Sequence, residues 1–191
     1  MSFRPATEPA ESDERLVSLA KAGDTASFGE LVERHKEKAV RLAFAYVKNF
    51  EDAKDVAQEA FVKAHGSLRR FDGKSKFYTW LFRIVVNQAI DHTRKRREKS
   101  SSGEALFENI EDASPGAAET ARKKDERAML EGALGELTTQ QRTVLVLTYF
   151  EQMSTAETAA VMDVSEGTVK ATRFQALAKL KGVLERKGEI R

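Results

Sequence analysis

The sequence contains no cysteine among its 191 residues and only three prolines. Without cysteine there is no disulfide framework, no thiolate zinc site, no iron–sulfur cluster and no cysteine nucleophile, and a reducing compartment is the natural expectation. The longest uninterrupted aliphatic run is Val144–Leu147, whereas a membrane span requires about 20 apolar residues. The N-terminus also lacks a signal-peptide pattern. We therefore expect a cytoplasmic protein of one or two small domains that neither is secreted nor crosses a membrane.

The formal net charge of +2 is small, but the charge is distributed unevenly along the chain. Residues 68–99 carry ten Lys and Arg against three Asp and Glu, a net charge of +7. Residues 100–119 carry five acidic residues and no basic one, whereas residues 170–191 carry seven basic residues and two acidic ones. Two basic segments around an acidic one suit a protein with two surfaces for a polyanion. Ordinary solvated helices would give the same pattern, so the charge distribution alone does not distinguish them from surfaces that bind a polyanion.

Apolar residues recur at helical spacing through most of the chain, which predicts an all-α protein with two small helical domains. Residues 1–12 lack periodicity and predict a disordered tail. Residues 13–97 predict the first domain, and residues 126–187 predict the second. Residues 98–125 are poor in apolar side chains, so they predict a flexible acidic linker. The clearest apolar stripe of the first domain consists of Phe77, Trp80, Leu81, Ile84, Val85 and Gln88.

The second domain carries the pattern of a helix-turn-helix. Ser154 and Glu157 form a capping box that starts a short helix, and Ser165 caps a longer helix after a tight break. The residues of the longer helix predicted to face the core are Val169, Leu177, Leu180, Val183 and Leu184. Those predicted on its outer face are Lys170, Ala171, Phe174 and Gln175. Such side chains can contact phosphates, base edges and thymine methyl groups in a major groove, although an ordinary helical hairpin is the alternative.

A basic and aromatic segment lies between residues 71 and 83, where five aromatic residues alternate with cations at a predicted loop-to-helix junction. This combination is expected where the bases of a single strand stack while their phosphates are neutralised. Helical spacing favours core positions for Phe77, Trp80 and Leu81. It leaves Phe71 and Tyr78 as candidates for exposure.

The face opposite that apolar stripe is polar. Asn87 lies one turn after Arg83, and the same face continues through Ile90 and Arg94. An amide at this place can hydrogen-bond an extruded base or a phosphate. The alternative is a solvated face on which Asn87 contacts Asp91.

Three segments, taken in order, resemble the extracytoplasmic-function (ECF) sigma factors of the sigma-70 superfamily, which supply promoter recognition to bacterial RNA polymerase. Residues 52–63 (DAKDVAQEAFVK) are similar to the family's polymerase-docking helix. Residues 77–87 (FYTWLFRIVVN), followed by Asp91 and the basic residues 94–97, resemble the element that melts the −10 promoter sequence. Residues 137–145 (LTTQQRTVL) and 165–170 (SEGTVK) resemble the reader of the −35 element.

The resemblance implies two helical domains whose linker threads through the polymerase, and it implies functional residues for each domain. Contacts with the clamp of the largest polymerase subunit are implied for Asp52, Asp55, Gln58 and Glu59. Contacts with −10 promoter DNA, including a loop that captures a flipped non-template base, are implied for Arg70, Phe71, Lys74, Lys76, Arg83, Asn87 and Arg94. Contacts with −35 DNA are implied for Arg142, Lys170, Ala171, Phe174 and Gln175. The resemblance further implies an anti-sigma factor as a partner, with no cofactor and no metal.

Two other classes of protein remain as alternatives. A metal-dependent nuclease would need a cation site, and Asp52, Asp55 and Glu59 lie on one predicted helix, although the three histidines have no ligand spacing. A self-sufficient helix-turn-helix regulator would bind a palindrome as a dimer. Such a regulator would protect duplex DNA alone, whereas a sigma factor should bind specifically only with core polymerase.

Overall fold

The computed structural model describes residues 11–101 and 135–186 of the chain. Within these two ranges all regular structure is helical and falls into two groups, so the predicted fold class is confirmed. Most of the predicted linker and the first ten residues of the predicted tail lie outside the described residues.

The first domain is built from four α-helices and one short 3₁₀ turn. The helices are α1 (Asp13–Lys21), α2 (Thr25–Val47), α3 (Phe50–Ser67) and α4 (Phe77–Ser101), with the 3₁₀ turn at Leu68–Arg70. The side chains of Ser12, Asp24 and Asn49 cap α1, α2 and α3, because each accepts a hydrogen bond from a backbone N–H of the first turn. Ser12 was predicted to belong to a disordered tail; this prediction is wrong, since the residue starts α1. Helix α4 also continues four residues beyond the predicted end of the domain at residue 97.

One apolar core holds the first domain together. Leu31, Leu42, Val56, Leu81 and Val85 come from α2, α3 and α4, and each is at most 1% exposed. This core fixes α3 and α4 side by side, and their outward faces and the loop before α4 lie at the surface of the domain.

The second domain contains the predicted helix-turn-helix. Its described helices are α5 (Thr139–Leu145), a π-helical turn (Val146–Phe150), α6 (Thr155–Met162) and α7 (Glu166–Arg186). Complete capping boxes start α5 and α6, at Thr138 with Gln141 and at Ser154 with Glu157. Asp163 ends α6 in the left-handed conformation with φ 55°, and the Ser165 hydroxyl accepts a hydrogen bond from the Thr168 N–H at 3.1 Å.

The buried face of α7 differs from the prediction in one respect. Val169 and Val183 are buried as expected, at 0% and 1% exposed, but Leu177 is 39% exposed and Ala176 is buried in its place. The buried positions 169, 176 and 183 follow a seven-residue repeat, and residue 177 lies about 100° further around the helix. The core position predicted for Leu177 is therefore wrong.

The two domains pack against each other, and we call their contact the seam. Helices α2 and α4 of the first domain contact α5, the π-helical turn and α6 of the second. The second-domain side chains that join the buried cluster of the first domain are Val146, Leu147, Met153 and Val161. Helix α4 is consequently buried beyond its predicted stripe, with Phe82 only 1% exposed, while Trp80 and Ile84 of that stripe are only partly buried.

Candidate polymerase and promoter surfaces

The outer face of α3 presents the predicted polymerase-binding side chains. Asp55, Gln58 and Glu59 are all exposed, and their spacing of three and four residues places them on one stripe of the helix. The opposite side of α3, which includes Val56 and Ala60, is buried in the core. The buried face of α3 thus consists of small and apolar side chains, whereas its outer face is polar. The stripe therefore points toward solvent.

A glutamine from α4 holds part of this stripe in place. The Gln88 amide donates a 2.9 Å hydrogen bond to Glu59 Oε2, and its carbonyl oxygen accepts one from Lys63 Nζ. Gln88 is only 6% exposed, whereas Val62 beside it is 67% exposed. The result is a shallow cleft that combines carboxylate, amide and apolar groups. The sequence placed Gln88 on the apolar stripe of α4 and gave no signal that its amide would link two residues of α3.

Asp52 takes a different position from the other three predicted polymerase contacts. It is half-buried, and its Oδ2 lies 2.9 Å from the Arg96 guanidinium of α4. The structure therefore places this carboxylate in an ion pair between α3 and α4, at one edge of the stripe.

The loop between the 3₁₀ turn and α4 has a defined shape. Asp72 Oδ1 accepts a hydrogen bond from the Lys74 N–H at 3.1 Å, and Gly73 between them has a left-handed φ of +74°. This hydrogen bond, together with the Lys74 ammonium, lowers the pKa of Asp72 below its usual value. From α1, Lys21 Nζ donates to the Phe71 carbonyl oxygen. The loop is thus held from both sides, while Arg70, Lys74 and Lys76 remain exposed along it.

The aromatic side chains of this segment form a packed cluster, and the predicted exposure of Phe71 is wrong. Phe71 is 7% exposed and its ring centroid lies 5.0 Å from that of Trp80 and 6.2 Å from that of Phe77. The tilted contact with the Trp80 ring gives Phe71 an apolar neighbour that its position in a loop did not indicate. Tyr78 is half-buried for another reason, because it contacts the second domain. In this conformation, therefore, Phe71 has no free ring face for a base.

The polar face of α4 is exposed as predicted. Arg83, Asn87 and Arg94 all reach solvent, and Ile90 on the same face is 49% exposed. Asp91 pairs with Arg94, with Oδ1 and Nη2 3.1 Å apart. This face therefore carries an exposed cation toward each end, with Arg83 nearer the loop and Arg94 further along the helix.

The outer face of α7 carries the predicted −35 side chains. Lys170, Ala171, Phe174 and Gln175 are all exposed, and Phe174 is the most exposed large apolar side chain of the described residues at 76%. An apolar ring so open to water at a helix-turn-helix has the position expected of a side chain that contacts DNA.

Arg142 does not join the surface formed by these residues. It is 5% exposed, and it donates hydrogen bonds to the Leu137 carbonyl oxygen at 3.0 Å and to the Ala45 carbonyl oxygen of α2 at 2.5 Å. Burial lowers the pKa of its guanidinium. The prediction that Arg142 lies on a DNA-facing surface is wrong for this conformation, because the side chain is inserted into the seam.

The described residues contain no group of three or more His, Asp or Glu side chains placed to hold a metal ion. None of the helices in residues 11–101 and 135–186 combines the length and apolar character needed to cross a membrane. The features that remain are a polar α3 stripe, a basic loop beside an exposed helix face, and a helix-turn-helix. Together they are the features of a two-domain helical protein whose helix-turn-helix is suited to DNA binding.

Comparison with known proteins agrees with this description. Residues 31–99 match the family Sigma-70 region 2, and residues 127–180 match Sigma-70, region 4. The RNA polymerase sigma-H factor of Pseudomonas aeruginosa is 36% identical over 175 residues, which cover 87% of this chain and 90% of that protein. The ECF RNA polymerase sigma-E factor of Escherichia coli K12 is 36% identical over 176 residues, covering 86% and 90%. The structure of CnrH in complex with the cytosolic domain of CnrY matches with 31% identity and a TM-score of 0.70, over 92% of this chain and 99% of that one.

The chain belongs to the sigma-70 family and is an ECF RNA polymerase sigma factor. Its function is accordingly to bring core RNA polymerase to promoters, to recognise their −10 and −35 elements and to assist strand opening. No catalytic activity is indicated for it.

Proposed function

We propose that this sigma factor divides its task among the three surfaces described above. The α3 stripe of Asp55, Gln58 and Glu59, with Asp52 at its edge, binds the clamp of the largest polymerase subunit. The cleft beside the stripe supports this role, because its carboxylates and the exposed Val62 suit a partner surface with donor groups and apolar side chains.

The basic loop and the polar face of α4 bind the −10 element. Arg70, Lys74 and Lys76 neutralise phosphates, and Asn87 hydrogen-bonds an extruded base or its phosphate. A depression between α1 and the loop, lined by Lys21 and the loop residues 71–77, offers space for an unstacked base. In this arrangement the buried ring of Phe71 packs in the aromatic cluster and stabilises the loop. It does not itself stack on the base.

Strand opening then needs no nucleotide hydrolysis. Flipping one base out of a duplex costs a few kcal/mol, and contacts with a captured base recover about 1 to 3 kcal/mol. Attraction between the exposed cations and the displaced strand adds to this while the polymerase holds the DNA. We propose that the protein traps spontaneous openings and acts without catalysis of its own.

The outer face of α7 reads the −35 element, with Lys170 and Gln175 donating to bases or phosphates and Phe174 contacting thymine methyl groups. The single observation that supports this role best is the 76% exposure of Phe174 on a helix-turn-helix. We propose that the protein acts in the cytoplasm with core polymerase and promoter DNA. An anti-sigma factor that masks its polymerase-binding surfaces is a further proposed partner, since the similar CnrH was solved with the cytosolic domain of CnrY.

Run-off transcription with purified core polymerase on a promoter library randomised at both elements tests this proposal. Phe174→Ala should reduce transcription about tenfold and relax selection at the −35 positions, since a good base contact is worth about 1 to 3 kcal/mol. Asn87→Ala should leave −35 selection unchanged and slow strand opening, which permanganate reactivity of unpaired thymines measures.

Lys179→Ala provides the matched control for α7, because Lys179 is exposed on the same helix but lies about 140° around the helix axis from Phe174, and its ammonium donates to the Glu136 carbonyl oxygen. Loss of transcription with this control equal to that with Phe174→Ala would contradict the assigned face. Specific footprints on duplex DNA without polymerase would instead favour a self-sufficient regulator, and Mg²⁺-dependent DNA cleavage abolished by Asp55→Asn would favour a nuclease.

A further inference from the structure

The side chain of Gln88 places an uncharged amide between two opposite charges of α3. Glu59 and Lys63 are both exposed on that helix, whereas Gln88 on α4 is only 6% exposed. The amide nitrogen donates to Glu59 Oε2 at 2.9 Å, and the amide oxygen accepts a hydrogen bond from Lys63 Nζ. Because a carboxylate only accepts and an ammonium only donates, this orientation of the amide is the one that satisfies both groups.

Glu59 and Lys63 have the spacing and order that favour a direct ion pair. Residues four apart are neighbours on a helix, and a glutamate that precedes a lysine is the better arrangement. The same spacing gives a direct pair on α2, where Arg34 Nε lies 3.0 Å from Glu30 Oε1. Within residues 11–101 and 135–186, however, no ion pair joins Glu59 to Lys63, and each of the two charged groups is hydrogen-bonded to the amide.

This bridge leaves the Glu59 carboxylate with an unused acceptor atom at the surface proposed for polymerase. Its Oε2 is held by the amide, while its Oε1 accepts no hydrogen bond from the part of the chain that the structure describes. A neutral amide leaves the negative charge of the carboxylate in place, whereas an ammonium in contact with it would offset that charge. A carboxylate that is already ordered also binds a donor of the partner at a lower entropic cost.

We propose that Gln88 is a positioning residue for polymerase binding. Its amide holds the Glu59 carboxylate in one orientation and keeps the Lys63 ammonium away from it, so that the carboxylate meets the polymerase charged and ordered. Gln88 lines the cleft beside the α3 stripe but is itself almost fully buried, so it acts through Glu59. This inference rests on the proposed function, which assigns Glu59 to the polymerase clamp.

The role requires an amide at position 88. An apolar side chain there would leave Glu59 and Lys63 to pair with each other, and a carboxylate would repel Glu59. Any buried amide needs hydrogen-bond partners for folding alone. A decisive variant must therefore change polymerase binding in a way that a purely structural glutamine would not.

Titration of the full-length protein with core polymerase tests the proposal. Because the chain has no native cysteine, Ala178→Cys at an exposed position of α7 accepts one fluorescent label, and its anisotropy measures the dissociation constant. The test variant is Gln88→Met, which keeps an unbranched side chain and removes the amide. The control is Thr79→Val, since Thr79 is a 2% exposed residue of α4 whose hydroxyl has no hydrogen-bond partner among the described residues.

We expect Gln88→Met to weaken polymerase binding about fivefold, because it removes a hydrogen bond to a charged group and lets Lys63 pair with Glu59. Gln88→Leu should have the same effect, whereas Thr79→Val should change the affinity less than about twofold. Adding Lys63→Met to Gln88→Met removes the competing ammonium and should recover about twofold in affinity. In a Glu59→Gln background, Gln88→Met should have no further effect, since the carboxylate that it positions is absent.

The outcomes separate this inference from the proposed function. If Glu59→Gln alone leaves the affinity unchanged, the assignment of the α3 stripe to polymerase fails, and the role of Gln88 fails with it. If Glu59→Gln weakens binding while both Gln88 variants match Thr79→Val, the proposed function stands and the positioning role is overturned. A loss with Gln88→Met that Lys63→Met does not reduce, and that adds to the loss with Glu59→Gln, would also overturn it, because Gln88 would then act through packing alone.

Discussion

The two domains differ in how much of their stability each can supply alone. The first has a continuous core that α2, α3 and α4 share. The second has two small buried clusters of its own, Leu137 with Leu145 and Ala176, and Val144 with Ala159 and Val169. Four further buried side chains, Val146, Leu147, Met153 and Val161, join the core of the first domain. Because small domains bury a smaller fraction of their apolar surface, the helix-turn-helix gains stability from the seam.

The domains also differ in how their DNA-facing groups are prepared. The loop of the first domain is shaped by its own contacts, through Asp72, Gly73 and Lys21. The outer face of α7 instead depends on helix geometry alone to present Phe174 and its neighbours. If the domains separate, both recognition surfaces should therefore keep their local structure. The apolar side chains of the seam, by contrast, would become exposed to water.

The largest expected effect comes from the core that both domains share. Leu147→Ala should lower the free energy of unfolding by about 3 kcal/mol, because it removes a fully buried side chain and leaves a cavity. Leu81→Ala in the first domain should cost a similar amount and shift the same transition. Urea unfolding followed by circular dichroism measures both.

Leu177→Ala is the control, since this side chain is partly exposed on α7 and should cost well under half as much. Two separate unfolding transitions, with Leu147→Ala shifting only one of them, would contradict this expectation, because they would mean that the domains do not share a core.

A smaller effect is expected from the loop of the first domain. Gly73→Ala should lower the free energy of unfolding by about 1 to 2 kcal/mol, because alanine disfavours the left-handed φ of +74°. No atom lies within 4 Å of the added methyl group, so the cost is conformational. Gly182→Ala in α7 meets the same open space at a helical position and should stabilise by up to about 1 kcal/mol. A stabilising Gly73→Ala would show that the loop is less rigidly defined than its contacts indicate.

The smallest expected effect is a pH dependence at the seam. The folded protein lowers the pKa of Glu157 from an ordinary 4.5 to about 2, so the stabilising contribution of its carboxylate is fully present above pH 4.5. It is lost as the pH falls toward 2, where the folded protein also binds the proton. The stability difference between the unmodified protein and Glu157→Gln, measured by denaturant titration, should therefore narrow from pH 6 to pH 3. If this stability difference stayed constant between pH 6 and pH 3, the substitution would act through something other than the charge of the Glu157 carboxylate.

Much of the architecture could be predicted from local patterns. The helix-turn-helix followed from Ser154, Glu157 and Ser165, because capping depends on residues within one turn of each other. The exposed faces of α4 and α7 followed from helical periodicity. The roles assigned to individual residues on these faces remain predictions, since exposure permits a contact with DNA or polymerase without demonstrating it.

The incorrect predictions have a common physical origin. Phe71 was expected to be exposed and Arg142 to face DNA, and Leu177 was expected in the core. Phe71 is covered by Trp80 across the loop, and Arg142 is covered by α2, 97 residues away from its partner Ala45 in the sequence. Leu177 lies only one position from the buried repeat of α7. Local periodicity locates an apolar face to within about one residue and contains nothing about distant neighbours.

By itself, the sequence determined that this protein is helical, that it carries a helix-turn-helix and that its cations concentrate on two segments. These properties depend on hydrogen bonds and side-chain spacing within a few residues, so composition and order suffice to specify them. Only the tertiary structure decided that the two domains share a core and that Glu157 of the second faces Lys76 and Tyr78 of the first. Such contacts depend on how whole helix faces fit together in space, and that fit is set by the packing of many side chains at once.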